Sequence, residues 1–555
     1  MNRRGRLERM IAVLAVGVMI SAASCSSGGS GKSGNAAGET AGQGPKGPPK
    51  RGGTLRYGLE AEADGLNPTT NRFAISSYMM GAAVFDPLAL RDKNGDVRPY
   101  LAESITPNAD FTSWTIKLRP NIKFHDGTPL TSEAIKAAVE AELADPLISI
   151  AAKPILAPSN QVEILDDLTA RINLSGPITR FPLYLTSQLG LIASPAWLKA
   201  AKANPDLNQR PVGTGAFKFQ SRTRDQSTRF VRNDQYWNGP VYLDAIEFVI
   251  QTDPARRADQ LLAGALDVMH SSDPQTIKQL RGQKGINHFE NAKGEEGFVM
   301  INTQSPPFDD IRVRKALTLA TPKKDYLQII GQGILTEADS MFTADSKYNN
   351  PNVKQEADDP AGAKRLAAEY CRDKPDMCQG GKIKMEFKYT GPSAANQLVA
   401  DTLTNGWKQV FEIKSSQVLQ DDYIIQVAFG QYQVVTWRQF GSEDPEGEFV
   451  WLDCRNVGKP GALGINWPRN CNQDTQAALE AQRKSTDQAV IVNAWKRIAQ
   501  NIHDDYLYVF LSHTIWQIAA KSDVGDVVEG KFPGGGRTRL GNIGDHTVSQ
   551  IWLDR

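Results

Sequence analysis

Histidine and cysteine are scarce in this chain, six and five among 555 residues. The histidines, His125, His270, His288, His503, His513 and His546, are scattered. No His-Glu-x-x-His helix, Gly-x-Ser-x-Gly elbow or Cys-His arrangement can be read, so hydrolases built on those motifs have no footing here. His125 has Asp126 beside it, but neighbours in a strand or turn point apart and form no dyad. Paired cysteines at two-residue spacing with a histidine nearby, the mark of a zinc site, are also missing. We therefore expect no catalytic residues, no metal and no cofactor. Charge of one sign is lacking too. The 63 Lys and Arg balance 62 Asp and Glu to a net +1, and nothing in that balance calls for nucleic acid or a strongly anionic partner.

Long apolar runs are absent beyond Met10–Ile20, which is too short to span a bilayer and stay there. Arg3, Arg4, Arg6 and Arg9 precede it and Ser21-Ala22-Ala23-Ser24 follow, the layout of a signal peptide over residues 1–24. Cys25 stands where a bacterial lipoprotein is cut and acylated, although the usual Leu three places earlier is Ala22 here. The expectation is an extracytoplasmic protein held on the cell membrane by a lipid on Cys25 and by nothing else. Residues 25–51 are rich in Gly, Ser and Pro without apolar periodicity, which reads as a disordered tether. Gly31-Lys32-Ser33 imitates the tail of a phosphate-binding loop, but Ser26 replaces the leading glycine and no strand or helix flanks it.

Four cysteines remain after Cys25, and four allow three connectivities. Cys371 and Cys378, and Cys454 and Cys471, each bracket a Gly/Pro/Asn-rich loop. Two local disulfides are therefore expected, worth about 2.5 and about 3 kcal/mol by loop entropy.

Residues 52–555 are too many for one core and predict two or three domains. Leu55, Tyr57 and Leu59 alternate with polar or small neighbours, as do Trp114, Ile116 and Leu118, so both stretches predict half-buried strands. Asp126-Gly127 supplies a tight turn after the second. Thr131 is a candidate cap for a helix carrying Ile135, Val139 and Leu143 on one face. Asp310 is another, for a helix with Val313, Ala316, Leu317 and Ala320, and Trp495 shares a face with Ile491, Ile498 and Ile502.

One stretch says more. Gly95-Asp96-Val97-Arg98-Pro99-Tyr100-Leu101-Ala102-Glu103-Ser104, then Trp114 to Arg119, then Lys123-Phe124-His125-Asp126-Gly127-Thr128-Pro129, resembles the signature of the family 5 extracellular solute-binding proteins. These are the peptide and nickel receptors of ABC importers. Other stretches resemble the family in the same order: Gly213-Thr214-Gly215, Asn233 with Tyr236-Trp237, and Ala263 to Val268. Further on come Asn302 through Pro306-Pro307-Phe308 to Arg312-Val313-Arg314, then Asp359-Pro360 to Leu366. The family usually continues Ala-x-Asp-Arg where this chain has Ala320-Thr321-Pro322-Lys323, a change expected to reshape only a helix end.

The resemblance implies a bilobal, periplasmic-binding-protein-like α/β fold with mixed sheets flanked by helices. The first lobe is expected over 52–292 plus 506–555, with an extra domain inserted at about 86–205, and the second over 293–505. Two strands crossing between the lobes would act as a hinge. The implied role is capture of oligopeptides or a peptide-like solute by a monomer and its delivery to an ABC permease, with permease and ATPase on separate chains. A nonpeptide ligand (metal chelate, haem, glycoconjugate or opine) and a non-transporting surface sensor or adhesin are the alternatives.

Ligand-binding residues are expected at Asn302 and in the loop after Trp437. In peptide-binding members the equivalent loop begins with Trp and carries an Asp three residues later that pairs with the peptide ammonium. Here that position is Phe440, which cannot neutralise a buried cation. Either Glu443 or Asp444 replaces that Asp, or the ligand lacks a free amino terminus and meets Arg438, with Trp437 and Phe440 as stacking faces.

Overall fold

Alternation of apolar and polar residues builds the centre of the protein. A computed structural model describes residues 44–555 apart from 46, 147, 441 and 442. The signal sequence, Cys25 and most of the tether lie outside the described residues. Leu55, Tyr57 and Leu59 are fully buried in the strand Thr54–Leu59, which pairs in parallel with Ala245–Ile250 and Val268–Ser271. These belong to a 12-stranded mixed sheet.

Two strands dominate that sheet, Ile286–Ile301 and Tyr508–Lys521. They pair antiparallel from Ile286↔Lys521 to Met300↔Tyr508. One half of the sheet, with Thr54–Leu59, Ala245–Ile250, Ser227–Arg232 and Phe217–Thr223, attaches through Val268–Ser271 to Tyr508–Lys521. The other half, with Lys382–Thr390 and Phe411–Val418, attaches through Val434–Gln439 to Ile286–Ile301. The long strands thus belong to both halves, as two lobes joined by a strand pair require. The register slips between Asn291 and Glu295, a bulge that re-aims the side chains around it.

Helices cover each half. Asp310 caps Ile311–Ala320 by accepting from the Arg312 amide, and Val313, Ala316, Leu317 and Ala320 are buried, as their spacing predicts. Asp359 caps Pro360–Asp373 in the same way. Ile491, Trp495, Ile498 and Ile502 form the buried face of Gln488–Asp504. Thr131 precedes Ser132–Ala144 but makes no capping bond through its side chain. Instead Ser132 anchors that end, its hydroxyl and amide donating to the Asp166 and Asp167 carbonyls.

A separate four-stranded sheet contains Ser113–Leu118, whose Trp114, Ile116 and Leu118 point into an apolar core. That core continues through Phe181 to Phe440, Trp467 and Tyr508. His125 Nε2 donates to the Gly215 carbonyl, while Asp126 accepts from Ser194 and Thr128, so the adjacent pair works apart. The four described cysteines are bridged as Cys371–Cys378 and Cys454–Cys471, with S–S distances of 2.01 and 2.08 Å. No helix among the described residues is long and apolar enough to cross a membrane.

Candidate functional site

Two cavities flank the seam between the two halves, one lined by residues within 293–443 and the other by residues within 78–236 and 538–549. The smaller, about 180 Å³, is walled by Lys293 and Glu296 of the long strand, Met341, Phe342 and Tyr348 of a following loop, and Glu443. The larger, about 230 Å³, lies against Tyr78, Asp86, Tyr100, Tyr236 and the C-terminal residues Arg539 and Asp545. Glu443 and Arg539 meet between them. Arg539 Nη1 donates to Glu443 Oε1 at 3.0 Å and its Nη2 donates to Oε2, a bidentate pair.

A second bridge spans the same seam. Arg180 Nε donates to Asp444 Oδ1 at 2.9 Å, and Asp444 also caps the turn Pro445–Glu448 by accepting from the Glu446 amide. Behind it the buried Glu446 accepts from Arg483 Nε at 2.9 Å and from the Tyr184 hydroxyl at 2.9 Å. Both acidic residues considered for ligand ammonium are therefore engaged with arginines of the opposite half.

Arg438 and Trp437 are adjacent in Val434–Gln439 and face opposite sides of the sheet. Arg438 Nε donates to Glu295 at 2.8 Å, Nη1 donates to Ser272 Oγ at 2.7 Å, and the guanidinium lies 4.8 Å from the Trp516 ring centre. Glu60 stands 3.7 Å away. Arg438 thus ties the second half to the first half's Glu60 and Ser272. Trp437 stacks on Tyr423 with ring centres 5.7 Å apart, and its Nε1 donates to Gln439, which also accepts from Trp467.

Phe440 is 5% exposed. Its ring sits 5.5 Å from Phe298 and 5.3 Å from Tyr508, and its φ of +72°, rare for a bulky side chain, is held by that packing. Asn302 is buried and donates to the Gly430 and Tyr432 carbonyls, so its described contacts brace a turn.

Burial sets the charge states around the larger cavity. Asp86 is pushed up to about 6 by burial, although Trp237, Thr214 and Tyr236 all donate to it. His546, with Nε2 at 3.0 Å from the Tyr57 hydroxyl, is pushed down to about 4 by burial. Tyr236, part of the Asn233…Tyr236-Trp237 stretch that resembles the family, also lines this cavity. Among the described residues no group of three or more His, Cys, Asp or Glu could hold a metal ion.

The site residues that sequence reasoning missed are Glu296, Arg180, Arg539 and the loop 341–348. None of them left a local trace: Glu296 follows Glu295 and precedes Gly297 and the apolar Phe298-Val299-Met300-Ile301, and nothing in that order sets it apart.

The model of the middle region of the bacterial extracellular solute-binding proteins, family 5, matches residues 96–460. The dipeptide-binding protein of Escherichia coli K12 is 24% identical over 504 residues, 86% of this chain and 92% of its own. The ABC transporter-associated periplasmic binding protein DppA of Helicobacter pylori, solved with the peptide STSA, is similar with a TM-score of 0.79 at 19% identity, covering 91% of this chain and 99% of its own. AgaA of A. tumefaciens R10, solved with agropinic acid, gives a TM-score of 0.79 at 20% identity and the same coverage, 91% and 99%. With a motif series in family order, a sheet shared by two halves through long strands, and a family match over more than half its length, this chain belongs to the bacterial extracellular solute-binding proteins of family 5.

Proposed function

We propose that the protein captures a peptide-like solute in the seam between its halves and passes it to the permease of an ABC importer, whose ATPase is a separate chain. One observation carries this reading: two cavities flank an ion pair, Glu443–Arg539, made by residues from opposite halves. Closure around a solute would align such pairs, and the closed form is what a permease can recognise. In this reading the first lobe is 52–292 with 506–555, the second is 293–505, and a monomer is anchored by lipid on Cys25.

A second reading, a nonpeptide solute, is favoured by Phe440, an apolar ring packed on Phe298 where a charge-bearing contact could have stood. Thermal unfolding of the mature protein separates the two. A pool of tri- and tetrapeptides should raise the melting temperature, since a ligand bound only by the native state stabilises by RT ln(1 + [L]/Kd). No shift with peptides, together with a shift from an opine, haem or a metal chelate, would replace the first reading with the second.

A further inference from the structure

The strand Ile286–Ile301 carries two adjacent carboxylates with opposite fates. Glu295 is matched, 2.8 Å from Arg438 and 3.1 Å from Trp516 Nε1. Glu296 faces the other side of the sheet and lines the smaller cavity. It is 1% exposed; Oε1 lies 2.9 Å from His513 Nδ1, and Oε2 is buried without a hydrogen-bond partner. A buried carboxylate oxygen left unmatched is costly, and native structures rarely leave one so without a reason. Burial, with Glu448 and Glu295 adding to it, holds the Glu296 carboxyl well above the usual carboxylate range, so an arriving cation is what would favour its ionised form.

The other charges of this cavity are occupied. Glu443 pairs with Arg539, Lys293 with Asp345 at 2.6 Å, and Lys347 donates to Gln488 at 2.9 Å. Met341, Phe342 and Tyr348 supply an apolar and aromatic wall, suited to a short aliphatic stem and to the cation it bears. We propose that Glu296 receives the ammonium group of the bound solute in this cavity. The assignment rests on the reading of the seam as the solute site, and it names the class of that solute: one that presents a primary ammonium on a short stem.

Retention of ligands by the mature protein, followed by native mass spectrometry, tests it. The probes are a tripeptide pool lacking Lys, Arg and His, offered free and N-acetylated, and 1,5-diaminopentane. Wild type should retain the free pool about tenfold or more over the acetylated pool, as loss of a charge-assisted bond implies. Glu296→Gln, which can still accept from His513, should erase that preference without lowering the melting temperature. Glu296→Asp withdraws the carboxylate by one methylene and should weaken amine retention while keeping the preference, so the assignment stays testable if the Gln variant does not fold. Retention of the diamine alone, lost in Glu296→Gln, would support Glu296 and overturn the peptide reading. Equal retention of free and acetylated pools by wild type, or amine preference unchanged in both variants, would overturn the assignment and leave the peptide reading in place. Retention of no probe by wild type would overturn both.

Discussion

Arg539 and Glu443, 96 positions apart in sequence, form a two-pronged ion pair across the seam, with 13% and 31% of their side chains exposed. Water still screens such a pair, so its contribution to stability is small, about 1 kcal/mol or less. Its geometry matters more for closure. Arg539→Ala and Glu443→Gln should each shift the ligand-free protein toward a larger radius of gyration in small-angle scattering. A double-mutant cycle on urea unfolding should return a coupling of about 1 kcal/mol. Additive single effects would mean that the two residues do not hold the halves together.

Acid should destabilise the fold in a window set by its buried histidines. His546 is held neutral, with its pKa pushed down to about 4 by burial, whereas an unfolded histidine titrates near 6.5. Between those values the unfolded state binds the extra proton, so stability is fully present above about pH 6.5 and is lost as pH falls toward about 4. His546→Gln should flatten the dependence of unfolding free energy on pH by close to one proton in that window. Asp86, raised to about 6 by burial, has the opposite sign: its contribution falls as pH rises from about 4 to 6, so Asp86→Asn should steepen the curve there. Parallel pH profiles for His546→Gln and wild type would show that this ring is not buried neutral.

The two disulfides enclose short loops, with sequence separations of 7 and 17. Loop entropy gives about 2.5 and about 3 kcal/mol. Replacing both Cys454 and Cys471 by Ala should lower the urea-unfolding free energy by about that second amount, and a nonreduced digest of wild type should contain both linked peptides. Two or more alkylatable thiols in protein from its native compartment would contradict the pairing.

Anchoring is a prediction about Cys25, outside the described residues. Cys25→Ala should release a folded protein from the membrane fraction, because stable attachment takes acyl chains and no other apolar run in the sequence can span. Retention of the variant on membranes after a salt wash would remove the case for a lipid there.

Legibility followed the range of the interactions. Ile491, Trp495 and Ile498 announce their helix because one turn brings them together, and Leu55, Tyr57 and Leu59 their strand because alternation does. The seam was less readable. Phe440 is visibly apolar, but its partners Phe298, Tyr508 and Phe510 come from strands paired only in the fold. Asp444 before Pro445 reads as a turn residue, which it is, while its ion pair with Arg180 spans 264 positions. Lys293-Gly294-Glu295-Glu296-Gly297 reads as a polar break, yet it is the middle of a 16-residue strand. Nothing local distinguishes its two glutamates; the alternation of the strand sends them to opposite faces.

That break contains a glycine packed directly against the C-terminal turn. A Cβ added at Gly294 would lie 1.5 Å from the Asn542 carbonyl oxygen and 3.3 Å from Trp516, whereas one at Gly297 would meet nothing nearer than 3.6 Å. The C-terminal turn at 541–544, whose Asn542 also lines the larger cavity, therefore sits directly against the bulge of the long strand. Gly294→Ala has to push this turn away, and Arg539 lies only two residues before it. Overpacking of this kind costs about 1–3 kcal/mol. We expect Gly294→Ala to lose about that much in urea unfolding and also to loosen the Glu443–Arg539 pair, seen as a smaller coupling when the double-mutant cycle is repeated in its background. Gly297→Ala, three positions along the same strand and free of the clash, should leave the coupling unchanged. Equal effects of the two substitutions would trace the loss to glycine's backbone freedom and not to the contact with Asn542.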